Sequence, residues 1–164
     1  MNFEELEEYD RNKTKVLKYV IYKKRSENEI RRKFQNDIDE NMLDDIIQEL
    51  KDNNYISDEN YIERAVNEFM ALKNLSLKQI KYKLQSKGIS NDLIEDYFSA
   101  HSDELTEYEI KSICNILIKK SDVPAEEIIQ NLLKKGFEYD NVKEALERWN
   151  WWKIYWVMNH RYTQ

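Results

Sequence analysis

The chain has 164 residues with a formal net charge of −6, 35% charged residues, one proline, two glycines and one cysteine. So little loop-forming material implies an all-α chain; the lone Cys114 excludes a disulfide framework or a cysteine metal site and fits a reducing cytosol. No apolar run approaches the roughly 20 residues that span a bilayer, so no membrane partner and a cytoplasmic location are expected, and the net acidity argues against avid, nonspecific binding of nucleic acid by the whole surface.

Residues 1–14 read as an acidic N-terminal segment: Glu4, Glu5, Glu7, Glu8 and Asp10 make it neither a signal nor a transit peptide. Residues 15–56 read as a first three-helix repeat with apolar stripes at Val16, Leu17, Val20 and Ile21, at Ile30 and Phe34, and at Leu43, Ile46, Ile47 and Leu50. Two asparagines, Asn53 and Asn54, end its last helix, Tyr55-Ile56 form a hydrophobic staple, and Ser57 or Asp58 caps the next.

A second repeat spans 57–103, with stripes at Tyr61, Ile62, Ala65, Val66 and Phe69, at Leu77, Ile80 and Leu84, and at Leu93, Ile94, Tyr97 and Phe98. A third spans 104–149, with stripes at Ile110, Ile113, Leu117 and Ile118, at Ile128, Ile129, Leu132 and Leu133, and at Val142, Ala145, Leu146 and Trp149. Ser26-x-x-Glu29, Ser76-x-x-Gln79 and Thr106-x-x-Glu109 fit the capping box, and Pro124 supplies the start signal in the third repeat. The two glycines stand in one recurring phrase, Leu84-Gln85-Ser86-Lys87-Gly88-Ile89 and Leu132-Leu133-Lys134-Lys135-Gly136-Phe137, where a left-handed residue ends a helix; Asn36-Asp37 hold the matching place in the first repeat.

Residues 150–164 form a Trp-rich end. Trp149, Trp152 and Trp156 fall in one helical stripe, with Trp151, Tyr155 and Met158 on the adjoining one. Such a helix either closes the end of the array, which is the expectation adopted, or docks a partner. The most useful functional signal is the basic middle helices. Lys78, Lys81, Lys83 and Lys87 occur in a stretch without an acid, with Tyr82 interleaved; Arg25, Arg31, Arg32 and Lys33 in the first repeat, and Lys134 and Lys135 in the third, occupy comparable places. Lysines beside an exposed ring suit phosphates and a stacked base, whereas a solvated face balancing acidic neighbours is the structural alternative.

No catalytic constellation is found. His101 and His160 lie far apart, Cys114 sits on an apolar stripe, no phosphate loop occurs, and His101-x-Asp103-Glu104 reads as a polar connector. No enzyme activity, cofactor or metal is expected.

Four phrases, in order, resemble one known family. Lys24-Arg25-Ser26-Glu27-Asn28-Glu29-Ile30 is similar to its opening "R-x-[ST]-E-x-E-L", and Asn54-Tyr55-Ile56-Ser57-Asp58-Glu59-Asn60-Tyr61 to "G-Y-L-x-D-x-x-F". The phrase around Gly88 with Leu93-Ile94 is similar to "L-x-x-[KR]-G-I-x-x-x-x-I", and that around Gly136-Phe137 to "L-x-[RK]-[RK]-G-F". The family is that of the RecX recombination regulators, and the resemblance runs from about Lys15 to Glu147. It implies a tandem array of three three-helix repeats, about nine helices, elongated and curved. It also implies binding in the groove of a RecA recombinase filament on single-stranded DNA, restraint of that filament, and no catalysis; single-stranded DNA would be reached through the filament by a monomer. The chain departs where Asn74-Leu75-Ser76 replace the family's usual glycine before the second repeat's middle helix. A helix-turn-helix transcription regulator and a protein-docking adaptor are the alternatives.

Overall fold

The computed structural model describes residues 1–72 and 74–160, with side chains except at 154–160. Among the described residues there are nine α-helices and no strand: α1 (Phe3–Tyr22), α2 (Glu27–Phe34), α3 (Glu40–Asp52), α4 (Asp58–Leu72), α5 (Leu77–Ser86), α6 (Asn91–Ala100), α7 (Ser102–Lys119), α8 (Ala125–Lys134) and α9 (Tyr139–His160). Contacts divide the chain into two compact units, Met1–Ala65 with Leu84–Glu95, and Val66–Lys83 with Asp96 onward.

Helix starts follow the local chemistry. Asn2 caps α1 through a reciprocal bond with Glu5, and the helix runs unbroken through the acidic segment. Glu4 and Glu5 lie in its first turn, where the helix dipole favours negative charge. Asp39 caps α3, Ser57 caps α4 and Ser90 caps α6. The boxes at Ser26 and Ser76 both close as the spacing predicts.

The third box does not. Helix α7 begins at Ser102, so Thr106 and Glu109 lie inside it, and Asp103 and Glu104 belong to its first turn rather than to a connector. No glycine or proline stands between Ser102 and Thr106 to stop the helix from extending back. His101 is the single residue between α6 and α7; its ring stacks on Tyr97 and its Nδ1 lies 2.9 Å from the Tyr97 carbonyl.

Among the described residues, helix ends use four left-handed residues: Gly88 (φ +79°), Gly136 (φ +88°), Asn54 (φ +61°) and Asn74 (φ +76°). At each glycine the N–H bonds the carbonyl three residues back and the next N–H reaches back five, to Leu84 and Leu132, so Ile89 and Phe137 fold onto the last turn as buried side chains. At Asn54 the same pair recurs, its own N–H bonding the Lys51 carbonyl and the Tyr55 N–H the Leu50 carbonyl, and Asn74 supplies the positive φ two residues before Ser76. The first repeat's middle helix needs no such residue, since the Asp37 and Ile38 N–H groups both bond the Phe34 carbonyl.

In the first unit Val16, Val20, Ile30, Phe34, Leu43, Ile46, Ile47 and Leu50 pack with Ile38 and Ile56 into one core across α1, α2 and α3. In the second, Ile110, Ile113, Leu117, Ile128, Leu132, Phe137, Val142 and Ala145 do so across α7, α8 and α9. Ile62, Leu84 and Ile94 are also buried in the first unit, and Val66, Ile80 and Phe98 in the second. Each such side chain contributes about 1.5–3 kcal/mol against exposure. Ile21, Ile118 and Leu133, expected on the buried stripes, lie at their edges and are exposed.

Candidate partner-binding surface

The two capping-box serines do more than start helices. Ser26 Oγ accepts from the Glu29 N–H and donates to the Lys87 carbonyl at 2.7 Å. Ser76 Oγ accepts from the Gln79 N–H and donates to the Lys135 carbonyl at 2.8 Å. Each fully buried hydroxyl thus joins the start of one middle helix to the end of the next repeat's middle helix. Gly88 and Gly136 follow those carbonyls, and the fit is close: a Cβ on Gly88 would lie 2.3 Å from Asn28 Cβ, and one on Gly136 2.8 Å from Lys78 Cδ.

A carboxylate completes each joint. The Glu27 N–H bonds Asp58 Oδ1 at 3.0 Å, and the Leu77 N–H bonds Glu109 Oε1 at 2.9 Å. Glu109 is wholly buried and also accepts from the Glu138 N–H and the Asn141 amide. Burial pushes the Asp58 carboxyl above its usual range despite the Glu27 N–H and Lys51. Burial alone would raise Glu27 as well, but its bonds to Lys51 and Arg31 outweigh that and hold it below the ordinary glutamate value.

The candidate cations sort around these joints. Arg31 is engaged by Glu27 and Asp44, and Lys87 by Glu29 at 3.2 Å. The Arg25 guanidinium lies 4.5 Å over the Tyr19 ring; Lys81 lies over Phe98 and Lys83 over Phe69. Arg32, Lys33, Lys78, Lys134 and Lys135 are exposed, with no ion pair among the described residues. Tyr82 is 71% exposed, one turn along α5 from Lys78.

Of the expected motif residues, Ile56 and Phe137 are buried, Tyr61 is half-buried and Tyr55 is exposed, so only Ile56 acts in the staple. At the Trp-rich end Trp149 packs on the second unit's core and stacks on Trp152 with parallel rings 6.0 Å apart, while Trp151 is 75% exposed. The side chains of Tyr155, Trp156 and Met158 lie outside the described residues. Sequence reasoning missed Glu109 as a joint residue, because its partners Leu77 and Glu138 are distant in the chain and its acid matched a local box.

No helix among the described residues is long and apolar enough to cross a membrane, and none of their His, Cys, Asp and Glu side chains group as metal ligands do. No protein-family profile matches the chain. Curated relatives do, among them these two. The chain is 30% identical over 148 residues to the regulatory protein RecX of Clostridioides difficile, covering 87% of this chain and 69% of that protein. It is 30% identical over 151 residues to the RecX of Streptococcus pneumoniae, covering 85% of this chain and 56% of that protein. Among solved structures, RecX from Lactobacillus salivarius superposes with a TM-score of 0.76 at 27% identity, covering 88% of this chain and 98% of that one. A second RecX crystal structure, at 21% identity and TM-score 0.70, shares the fold. With the nine helices and the repeated serine joints in place, the similarity to the Clostridioides difficile protein over most of both lengths shows that this chain belongs to the RecX family of regulatory proteins.

Proposed function

We propose that the chain is a cytoplasmic, monomeric regulator that binds the filament of a RecA-type recombinase on single-stranded DNA and restrains its ATPase, its growth and strand exchange, acting by occupancy rather than by catalysis. Family membership is the observation that carries this reading. The joints support it, because within each unit a buried serine hydroxyl fastens the start of one middle helix to the end of another, which suits a binding surface built from repeats. On a net acidic chain the contact is made mainly by protein surfaces, with exposed lysines and arginines as an electrostatic supplement. Occupying the filament couples reciprocally to its nucleotide cycle, so restraint of growth and restraint of hydrolysis go together.

Co-sedimentation with recombinase, single-stranded DNA and a slowly hydrolysed ATP analogue at physiological salt tests the binding. The chain is expected in the pellet only when the recombinase is present. Equal retention by DNA alone would instead favour a DNA-binding transcription regulator. The exposed Trp151 supports a second reading, an adaptor whose α9 docks another protein; wild-type chain that fails to bind the filament at any salt would favour it, and loss of filament binding in Trp151→Ser with an unchanged melting temperature would dismiss it by placing Trp151 in the filament contact.

A further inference from the structure

The two serine joints share the same backbone pattern but not the same charge, and this comparison within one chain points to a single locus. At the first joint the box residue is Glu29, which pairs with Lys87, and Asn28 lies against Gly88. At the second the box residue is the neutral Gln79, Lys78 lies against Gly136, and Lys134 precedes Lys135. The ion pair of the first joint is therefore replaced by three exposed lysines. Glu109, the carboxylate at the bottom of the second joint, is buried and already accepts three hydrogen bonds. Glu138 is the nearest exposed acid in sequence and forms no ion pair among the described residues. Tyr82 stands four residues from Lys78 on the same face of α5 and turns its ring to solvent.

We infer that Lys78, Lys134 and Lys135 at the second serine joint, with Tyr82 beside them, form a direct contact for single-stranded nucleic acid. The lysines hold successive phosphates and the ring stacks on a base. The inference deepens the reading above by naming where the DNA is touched. The equivalent lysine of the first joint, Lys87, is neutralised within the protein and takes no part. A net charge of −6 makes the contact weak and its phosphate contacts make it salt-dependent, so it serves a protein already held on the strand by other contacts.

The test is fluorescence anisotropy of a labelled oligothymidylate at several salt concentrations, beginning near 50 mM, with the full chain and no recombinase. Wild-type protein is expected to bind at low salt. In K78Q/K134Q/K135Q the slope of log affinity against log salt should fall by about two units, three contacts at about 0.7 each. The variant K15Q/K18Q/K23Q removes the same charge from exposed positions elsewhere and should keep the wild-type slope. Tyr82→Ala should weaken binding about fivefold or more without changing the slope, and Tyr82→Phe should restore it. No wild-type binding at the lowest salt, or equal losses in the two triple variants, would overturn the proposal. So would a K78Q/K134Q/K135Q protein that binds DNA normally yet no longer binds the filament, since its lysines would then face protein. Because recombinase is absent, failure here leaves the filament reading to its own test.

Discussion

Replacing Ser76 by alanine separates the two roles of the joint serine. Its hydroxyl accepts from the Gln79 N–H at 3.1 Å and donates to the Lys135 carbonyl at 2.8 Å, and the residue is fully buried. Loss of the cap costs about 1 kcal/mol. The Lys135 carbonyl would then lose its side-chain donor in a part-buried place, which adds about 1–3 kcal/mol. The total is about 2–4 kcal/mol, and at about 2–4 °C per kcal/mol for a chain this size the melting temperature should fall by roughly 4–16 °C. Ser57 is the control, since it caps α4 through the Asn60 N–H and its hydroxyl otherwise donates only to the exposed Glu59 carboxylate among the described residues. Ser57→Ala should cost about 1 kcal/mol. Both variants are compared with wild type by urea and thermal unfolding followed by circular dichroism. If Ser76→Ala costs no more than Ser57→Ala, the bond between repeats contributes nothing and the joint is wrongly described.

Gly88→Ala and Gly136→Ala both place a Cβ on a left-handed residue, at about 1–2 kcal/mol each, but the steric cost differs. At Gly88 the obstacle is Asn28 Cβ, fixed to the start of α2, whereas at Gly136 it is the flexible stem of Lys78. Urea melts should therefore show Gly88→Ala to be worse by about 1–3 kcal/mol. Asp58 carries a pH prediction. Its folded-state pKa is raised by burial, so ionisation opposes folding above that pKa and the penalty vanishes below the ordinary aspartate value of 3.8. Asp58→Asn keeps an oxygen for the Glu27 N–H without the charge; it should stabilise at neutral pH, with the gain fading as pH falls toward 3.8 in melts across a pH series.

Much of the fold was legible because helix grammar is local. The boxes at Ser26 and Ser76, the glycines at the helix ends and the three-and-four spacing of Ile110, Ile113 and Leu117 all lie within a turn or two of the chain. The joints were not legible, because Ser26 and Lys87 are 61 residues apart and Ser76 and Lys135 are 59 apart. For the same reason the local pattern reads Glu109 as part of a helix start, whereas it is a buried acceptor. A local pattern cannot distinguish an acid that caps its own helix from one that receives the N–H groups of two others. The cations show the limit most clearly: Arg31, Lys87 and Lys135 look alike in the sequence, but Asp44 and Glu29 pair with the first two and no acid among the described residues pairs with the third. At the Trp-rich end, spacing placed Trp149 and Trp152 on one stripe, and they stack there; it did not distinguish the packed ring of Trp149 from the exposed one of Trp151.

The central claim, restraint of a recombinase filament, is tested most directly by DNA-dependent ATP hydrolysis of a RecA-type recombinase titrated with the chain at fixed single-stranded DNA and several salt concentrations. The account predicts that hydrolysis falls with increasing chain, and that inhibition saturates at a chain-to-recombinase ratio of one or below because bound copies occupy the filament rather than the DNA. Hydrolysis unchanged at every ratio and every salt would contradict it.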